Sequence, residues 1–371
     1  MSHTPKDCLL LIGSYAKQTD PGIYTVRYAA DPPKSDRDHA PEAPTFEAPT
    51  FTVIDHVRGI VNPSYLALHP AKNRLYVASE SLDHSGSLAV YERNPLTGDL
   101  VSRQSQPVKD ASPCYVTTDR SARCLLSANY LGGSITVCTL ADNGMVTRKT
   151  QEIYHTGHGI RMDRQEAAHP HAVAIDAANR FALVPDLGID EIVTYELSIS
   201  QSSLTKVGSH RAVAGSGPRL FLFHPERAAG YAIFELNNTI EVFDYDPERG
   251  SLQVRQSIST LPSDFSGTNT AAHVALSADA RFLYASNRGH DSIVVYEVHP
   301  DNGTLHPIQW IHTEGSTPRH FAIMPDGLTL IVANQDSNTL VALAIDPHTG
   351  LLRSTGAHLA IAQPSCVAVV E

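Results

Sequence analysis

Two histidines and two arginines occupy one equivalent position in four successive segments of the sequence. They are His171, Arg219, His273 and Arg319, each one residue after the start of a repeated segment. Arginine carries a permanent charge and a planar set of donors that matches a carboxylate or a phosphate. Histidine gains or loses a proton near neutral pH. Because the whole chain has a net charge of -11, a local cluster of positive groups predicts a site for a small anion.

The repeated segments also predict the fold. Each has an entry residue, usually proline, an apolar run, a polar turn and a second apolar run. Apolar and polar residues alternate in these runs, as is typical of strands with one buried face. A strand-built repeat of roughly 50 residues indicates a β-propeller. The six complete segments begin at Pro63, Pro113, Pro170, Pro218, Ala272 and Pro318.

The two ends of the chain supply a seventh repeat. Residues 364–371 read as an entry strand with no partner after it, and residues 8–28 read as the second and third strands of a blade. Joining them would close the ring and remove two sheet edges open to aggregation. The sequence therefore predicts an all-β fold, a seven-bladed β-propeller of four-stranded antiparallel blades with both termini in one blade. Residues 1–371 are expected to form one domain, with the proline-rich residues 29–51 as a surface insertion.

The predicted topology places the chemistry-bearing residues on one face of the ring. In an antiparallel blade the first strand starts where the second ends, so the entry residues should share the mouth of the central channel with the ends of the second strands. Two long connections, residues 151–171 and 261–273, lead into first strands and are predicted to wall the same mouth. The second strands are expected to contribute Glu80, Asn129, Asp186, Glu235, Arg288, and Asn334 or Gln335.

Composition and motifs argue against several classes of function. The net charge of -11 disfavours nucleic acid or an anionic membrane surface as a partner, and no apolar run approaches the roughly 18 residues of a membrane span. The five cysteines form no CxxC pair, which predicts reduced thiols and a cytoplasmic location. No cofactor is predicted, since the sequence has no dinucleotide fingerprint or phosphate-binding loop. His155, His158, His169 and His171 match no common zinc spacing, so no metal site is predicted.

Several short motifs resemble segments of the seven-bladed lactonase family. They are HPHAV at 169–173, GSGPR at 215–219, FELNNT at 234–239, FLYASNRGHDSI at 282–293 and STPRHFAIMPDG at 316–327. That family contains bacterial propeller-type 6-phosphogluconolactonases and fungal carboxy-cis,cis-muconate cyclases. The resemblance implies a catalytic set of His171, Arg219, Glu235 and Arg288. The predicted substrate-binding residues are Arg164, His273, Arg319, His320 and Gln335.

The predicted reaction is hydrolysis of a small anionic sugar lactone, 6-phosphogluconolactone to 6-phosphogluconate. Such a reaction needs a base that activates water and a cation that stabilises the oxyanion. His171 is the predicted base, because histidine is the side chain that titrates near neutrality. Glu235 would orient His171 or serve as the base itself. Arg219 and Arg288 would hold the oxyanion and the anionic group of the substrate.

Two other functions stay open on the sequence alone. The cyclase reaction, in which a carboxylate adds to a double bond of a carboxymuconate, would use the same charged residues. A propeller can also serve as a non-catalytic binding platform, because a fold does not determine a function. A platform predicts exposed apolar patches, whereas this rim is charged. The expected state is a monomer or a weak homo-oligomer.

Overall fold

Seven four-stranded antiparallel sheets make up the computed structural model of this chain. The structure describes residues 8–29, 49–81, 83, 86–95, 97–108 and 112–370. Six sheets each contain four consecutive strands, and the seventh pairs the last strand of the chain with the first. The predicted all-β, seven-bladed propeller is confirmed, including the closure of the ring by both termini.

The blades are numbered in chain order, and the closing blade is the seventh. Blade 7 contains β28 (Pro364–Val370), β1 (Cys8–Ser14), β2 (Ile23–Ala29) and β3 (Thr50–Val57). Blade 1 contains β4 (Pro63–Leu68), β5 (Arg74–Ser79), β6 (Ser87–Arg93) and β7 (Leu100–Pro107). Blade 2 contains β8 (Pro113–Thr118), β9 (Cys124–Asn129), β10 (Ser134–Leu140) and β11 (Val146–Tyr154). Blade 3 contains β12 (Ala174–Ile175), β13 (Phe181–Asp186), β14 (Glu191–Ser198) and β15 (Ser203–Arg211).

The remaining blades repeat this order. Blade 4 contains β16 (Pro218–Phe223), β17 (Ala229–Phe234), β18 (Thr239–Asp246) and β19 (Ser251–Ser259). Blade 5 contains β20 (Thr270–Leu276), β21 (Phe282–Arg288), β22 (Ser292–Val298) and β23 (Leu305–His312). Blade 6 contains β24 (Pro318–Ile323), β25 (Thr329–Asn334), β26 (Thr339–Ile345) and β27 (Leu352–Ala360).

The apolar core lies between neighbouring blades. One cluster joins Tyr231 and Ile240 of blade 4 to Leu283 and Val294 of blade 5, and all four side chains are fully buried. The second strand of each blade is buried along nearly its whole length because other blades cover both of its faces. Most of the apolar side chains are buried in this packing between blades, and charged and histidine side chains such as Arg219 and His273 line the central channel.

The entry residues leave the strand ladder through β-bulges. In blade 4, Pro218 pairs with Phe234 and Leu220 pairs with Ile233, so Arg219 has no partner in the register. A bulge of this kind turns its extra side chain away from the direction set by the pleat. Bulges or irregular register also release Ser64, Cys114, His171, His273, Arg319 and Ser365 from pairing. All seven entry residues line the channel.

Asparagine and aspartate side chains tie each of four blades to the next. Each of these residues has a positive φ, a conformation that Asn and Asp tolerate better than other non-glycine residues. The side-chain oxygen of each accepts the backbone N–H of the residue two positions before the next entry residue. The pairs are Asp190 with Gly217, Asn238 with Ala271, Asp291 with Thr317, and Asn338 with Gln363. These hydrogen bonds therefore fix the position of the entry residue in each of blades 4 to 7.

Three further predictions from the sequence concern the insertion, the cysteines and membrane spans. Ala29 pairs with Thr50, so the strands extend into both ends of the predicted insertion 29–51; residues 30–48 lie outside the described part of the chain. None of the five cysteines, all of which the structure describes, forms a disulfide bond, and all but Cys8 are buried. Within the described residues, no helix has the length and apolar character needed to cross a membrane.

Candidate active site

A cavity of about 550 Å³ opens at the mouth of the channel, a volume that suits a small-molecule ligand. It is lined by Tyr15, Asn62, Glu80, Cys114, Tyr130, Arg164, His171, Glu235, Arg288, Arg319, Gln335 and Gln363. Three further predicted site residues, Arg219, His273 and His320, line a narrow part of the channel instead, with a volume of about 20 Å³. The structure thus divides the predicted residues into an open cavity and a narrow channel.

Glu235 lies at the centre of the charged groups. Its Oε2 accepts a hydrogen bond from Nε of Arg219 at 2.9 Å and another from Nη2 of Arg288 at 2.9 Å. Its Oε1 accepts a hydrogen bond from Nη2 of Arg164. Glu235 is 2% exposed, so this carboxylate is buried among three guanidinium groups. Blade 4 supplies Glu235 and Arg219, blade 5 supplies Arg288, and the connection before β12 supplies Arg164.

The surroundings of Glu235 fix its charge. Burial alone would raise the pKa of this carboxyl, but the charges of Arg288, Arg219 and Arg164 together hold the pKa well below its usual range. Both of its oxygens also accept from arginine donors, so no free acceptor is left to take a proton from water. Of the two bases that the sequence left open, Glu235 is therefore the weaker candidate, and its part is to align the arginines.

Arg219 supports the cavity from beneath. It is 5% exposed, and besides Glu235 its guanidinium donates to the backbone oxygen of Ala272. Burial, followed by the charge of Arg288, lowers the pKa of Arg219 to about 10, which leaves it charged at neutral pH. Arg219 thus acts on the cavity through Glu235.

Arg319 differs from the other three arginines. No hydrogen bond or ion pair holds its guanidinium among the described residues, and its clearest contact is with the Tyr15 ring, whose centroid is 5.1 Å away. Burial would lower the pKa of Arg319, but the charges of Tyr15, Glu80 and Glu235 raise it above the ordinary value. Arg319 is therefore a charged donor at the cavity wall that is available to an anion.

His171 is a neutral imidazole beside this cluster. It is 8% exposed, and within the described chain its Nδ1 is buried without a hydrogen-bond partner. Burial and then the charge of Arg219 lower the pKa of His171 well below the ordinary histidine value, and Glu235 offsets this only in part. At neutral pH His171 therefore has an imidazole able to accept a proton.

The chain matches the family model described as "Lactonase, 7-bladed beta-propeller" over residues 9–369. It belongs to the seven-bladed propeller lactonases. A relative named 6-phosphogluconolactonase from Bacillus subtilis is 33% identical over 306 residues, covering 82% of this chain and 86% of the relative. A relative of the same name from Formosa agariphila is 32% identical over 315 residues, covering 83% of this chain and 88% of the relative. The solved structure of a periplasmic gluconolactonase from Pseudomonas aeruginosa matches with a TM-score of 0.85 at 28% identity and covers 99% of both chains.

Two tyrosines at the mouth of this propeller lactonase were missed from the sequence. The Tyr15 hydroxyl donates to Oε2 of Glu80 at 2.7 Å. Tyr130 stacks on His169 with ring centroids 4.3 Å apart and is hydrogen-bonded to Arg164. Both tyrosines directly follow the second strand of their blade. Glu235 and Gln335 occupy the same position in their repeats, so a repeat alignment made at the strand ends would have found both tyrosines.

The same shift of one residue makes two predictions wrong: Asn129 and Asp186 are fully buried and do not line the mouth cavity. Of the alternatives Asn334 and Gln335, Gln335 lines the cavity and Asn334 is fully buried. Asn129 donates to Oγ of Ser134 at 3.0 Å, and Asn334 donates to the backbone oxygen of Thr313 at 2.9 Å. Both side chains lie at the last position of a second strand, where Asn129 bonds within blade 2 and Asn334 bonds to the residue that follows β23 of blade 5.

The first long connection reaches the cavity, and the second does not. In the first, Arg164 lines the cavity. Asp186 anchors both ends of this connection. Its side chain accepts a hydrogen bond from Nδ1 of His155 at 2.6 Å and one from the backbone N–H of His169 at 2.7 Å. In the second, residues 261–269 contribute nothing to the cavity wall, and Asn269 is tied into blades 4 and 5. Within the described residues, no cluster of three or more His, Cys, Asp or Glu side chains is placed to hold a metal ion.

The narrow channel should make the propeller lactonase sensitive to acid. His273 and His320 stack with ring centroids 3.9 Å apart. Burial, with the charges of Arg219 and Arg319, lowers the pKa of His320 to about 3 from 6.5. Between about pH 3 and pH 6.5 the unfolded chain therefore binds a proton at His320 that the folded chain does not bind. Below pH 6.5 stability therefore falls as pH falls, by about 1.4 kcal/mol per pH unit for this residue.

His320→Asn should remove that contribution, because the amide keeps an acceptor for the Val367 N–H and does not titrate. The slope of unfolding free energy against pH, measured by urea denaturation between pH 6 and 4, should decrease by about one proton. The matched control is His358→Asn on the exposed outer strand of blade 6, which should leave the slope unchanged. An equal slope in wild type and His320→Asn would contradict the prediction.

Proposed function

We propose that this protein hydrolyses 6-phosphogluconolactone to 6-phosphogluconate in the mouth cavity. The observation that carries the proposal is Arg319, a charged guanidinium at the cavity wall with no carboxylate partner among the described residues. A phosphate ester is the kind of anion that such a group binds. The relatives named 6-phosphogluconolactonase support the same substrate class.

In the proposed mechanism, His171 accepts a proton from a water molecule as the water oxygen attacks the lactone carbonyl carbon. The carbonyl π electrons move to oxygen, and the resulting oxyanion lies near Arg288 and Arg164, which both line the cavity. When the tetrahedral intermediate collapses, the ring C–O bond breaks and the departing oxygen takes the proton from His171. Glu235 stays ionised throughout and holds the arginines in place.

The proposed roles of the arginines differ from those expected from the sequence. The sequence predicts a direct contact of Arg219 with the substrate, but Arg219 lies in the narrow channel behind Glu235. We therefore assign the oxyanion to Arg288 and Arg164 and the phosphate to Arg319. His273 and His320, which also line the narrow channel, would support the cavity from below. Gln335 lines the cavity with its Oε1 unpaired within the described chain, and it is proposed to accept a substrate hydroxyl.

The test is a comparison of two lactones. Freshly generated 6-phosphogluconolactone and unphosphorylated gluconolactone are each assayed against their spontaneous rates. The name of the Pseudomonas relative makes the second substrate the relevant competitor. Strong acceleration of the phosphorylated lactone would support the proposal, whereas acceleration of gluconolactone alone would overturn it. The three similar proteins named above are called lactonases, and their names do not support the cyclase or the binding platform.

Arg319→Met should separate phosphate recognition from the reaction. Loss of one charge-assisted contact should lower kcat/KM for 6-phosphogluconolactone by about 10- to 100-fold, while any activity on gluconolactone should change little. Arg319→Lys should recover part of the loss, because it restores the charge without the planar set of donors. The control is Arg249→Met, since Arg249 is exposed in the turn between β18 and β19. Equal losses on both lactones would show that Arg319 does not bind the phosphate.

A cytoplasmic location is part of the same proposal. The proposed substrate is a phosphorylated sugar derivative, and none of the five described cysteines forms a disulfide bond, as expected in a reducing compartment. The similar Pseudomonas protein is named periplasmic, so the location needs its own test. Fractionation of the native organism should recover the protein with cytoplasmic markers, and recovery with periplasmic markers would overturn this part of the proposal.

A further inference from the structure

A single buried aspartate connects two segments near the cavity. Asp190 is 5% exposed and has φ +55° in the turn between β13 and β14. Its Oδ1 accepts hydrogen bonds from the backbone N–H of Gly217 and from Nε2 of Gln165, both at 2.8 Å. Its Oδ2 accepts the backbone N–H of Gly215 at 2.8 Å. Both oxygens of this carboxylate are therefore used as acceptors.

These hydrogen bonds reach the segments that carry two arginines. Gln165 directly follows Arg164, and Gly217 lies two positions before Arg219. Both arginines donate to Glu235. The separation of the two guanidinium groups thus depends on two chain segments that Asp190 holds in contact.

We infer that Asp190 is a positioning residue that sets the spacing of Arg164 and Arg219 around Glu235. Its importance for turnover rests on the proposed function, but its effect on the arginines does not. Asp190 does not line the mouth cavity, so it acts only through the residues that it holds.

The positioning role needs a carboxylate in blade 3, whereas an amide suffices at the equivalent position in blade 4. In blade 4 the equivalent Asn238 uses its Oδ1 alone as acceptor, from Nδ2 of Asn269 at 2.8 Å and the backbone N–H of Ala271 at 3.0 Å. An amide at position 190 would turn its NH₂ group towards an N–H donor, either that of Gly215 or those of Gly217 and Gln165. A buried donor facing another donor leaves both without a partner. Only a carboxylate satisfies all of these donors.

A second aspartate links the other two arginine-bearing segments in blade 5. Oδ1 of Asp291 accepts the backbone N–H of Gly289 at 3.1 Å and of Thr317 at 2.8 Å. Gly289 follows Arg288, and Thr317 lies two positions before Arg319. Since both of these N–H groups bond to Oδ1, Asp291→Asn can keep both hydrogen bonds and should have a smaller effect than Asp190→Asn.

The test compares Asp190→Asn with Asp119→Asn. Asp119 is fully buried and also uses both oxygens, accepting the Cys124 N–H at 2.6 Å and Nδ2 of Asn179 at 2.9 Å. Because each variant disrupts a buried carboxylate that uses both oxygens, the two should lower the thermal midpoint similarly. Asp119 lies in the turn between β8 and β9, on the face opposite the mouth. Only Asp190→Asn should weaken 6-phosphogluconate binding, measured by calorimetry, by about tenfold, and reduce kcat on the lactone by about 100-fold.

A crystal structure of Asp190→Asn gives a readout that does not depend on the substrate. The guanidinium groups of Arg164 and Arg219 should be displaced from Glu235, whereas in Asp119→Asn they should keep their wild-type positions. If wild type neither binds 6-phosphogluconate nor hydrolyses a lactone, the proposed function fails and the crystal structure alone decides the inference. Unchanged guanidinium positions in Asp190→Asn would overturn it, and so would equal effects of the two variants on ligand affinity.

Discussion

Glu235→Gln should lower the free energy of unfolding by about 3–5 kcal/mol, because it removes the negative charge that is bonded to three buried or partly buried guanidinium groups. Arg164, Arg219 and Arg288 all donate to this carboxylate. A neutral amide offers one acceptor oxygen where the carboxylate offers two, and its NH₂ group would face an arginine donor. The arginines should then repel one another, and lactone hydrolysis should be lost together with stability.

The matched control is Glu92→Gln. Glu92 also pairs with two arginines, Arg103 at 2.6 Å and Arg74 at 3.4 Å, but its side chain is 39% exposed to solvent. Water and salt screen such pairs, so urea denaturation should detect no change. If Glu235→Gln were as stable as wild type, the carboxylate would not be what holds the arginines together.

His171→Asn should reduce kcat by about 10²- to 10⁴-fold, the usual contribution of a general base. KM should change much less, since the phosphate contact is assigned to Arg319. The wild-type pH profile gives a second signature. The base works only when unprotonated, and its pKa lies well below the ordinary histidine value. Activity should therefore hold from neutral pH to below 6.5 and then fall with acid, and His171→Asn should lack this acid limb.

His224→Asn is the control for His171→Asn. His224 is also buried, at 6% exposure, and burial lowers its pKa as well. It lies in the turn between β16 and β17 on the opposite face of the ring, so its replacement should leave kcat and the pH profile unchanged. If His171→Asn retained more than about a tenth of wild-type kcat, another group would have to be the base.

The sequence predicted the ring because its signals are local and repeated. Each entry segment has an alternating pattern, and the complementary ends of the chain showed where the ring closes. The gathering of His171, Glu235, Arg288 and Arg319 at one mouth followed from the direction of antiparallel strands alone. These predictions needed only periodicity and topology.

Other features of the site could be seen only in the three-dimensional structure. The pattern could not show that Arg219 lies below the cavity while Arg319 stays unpaired, because both stand at the same repeat position. Their difference arises from their neighbours, since Arg219 is bonded to Glu235 of its own blade and Arg319 lies against Tyr15 of blade 7. The contacts of Asp190 with Gln165, Gly215 and Gly217 likewise join segments far apart in sequence. Such long-range pairings depend on side-chain positions that no periodic pattern specifies.

The bulged entry residues have a consequence for how such an enzyme can acquire new substrates. Arg219 and its counterparts in the ring stand outside the backbone ladder, so replacing one of them need not alter strand pairing in its blade. Besides the proposed base His171, two of the seven, Cys114 and Arg319, also line the mouth cavity, so these two side chains can be exchanged next to the ligand while the strand pairing of their blades is kept. A combinatorial library confined to these positions is a direct route to lactonases with altered selectivity.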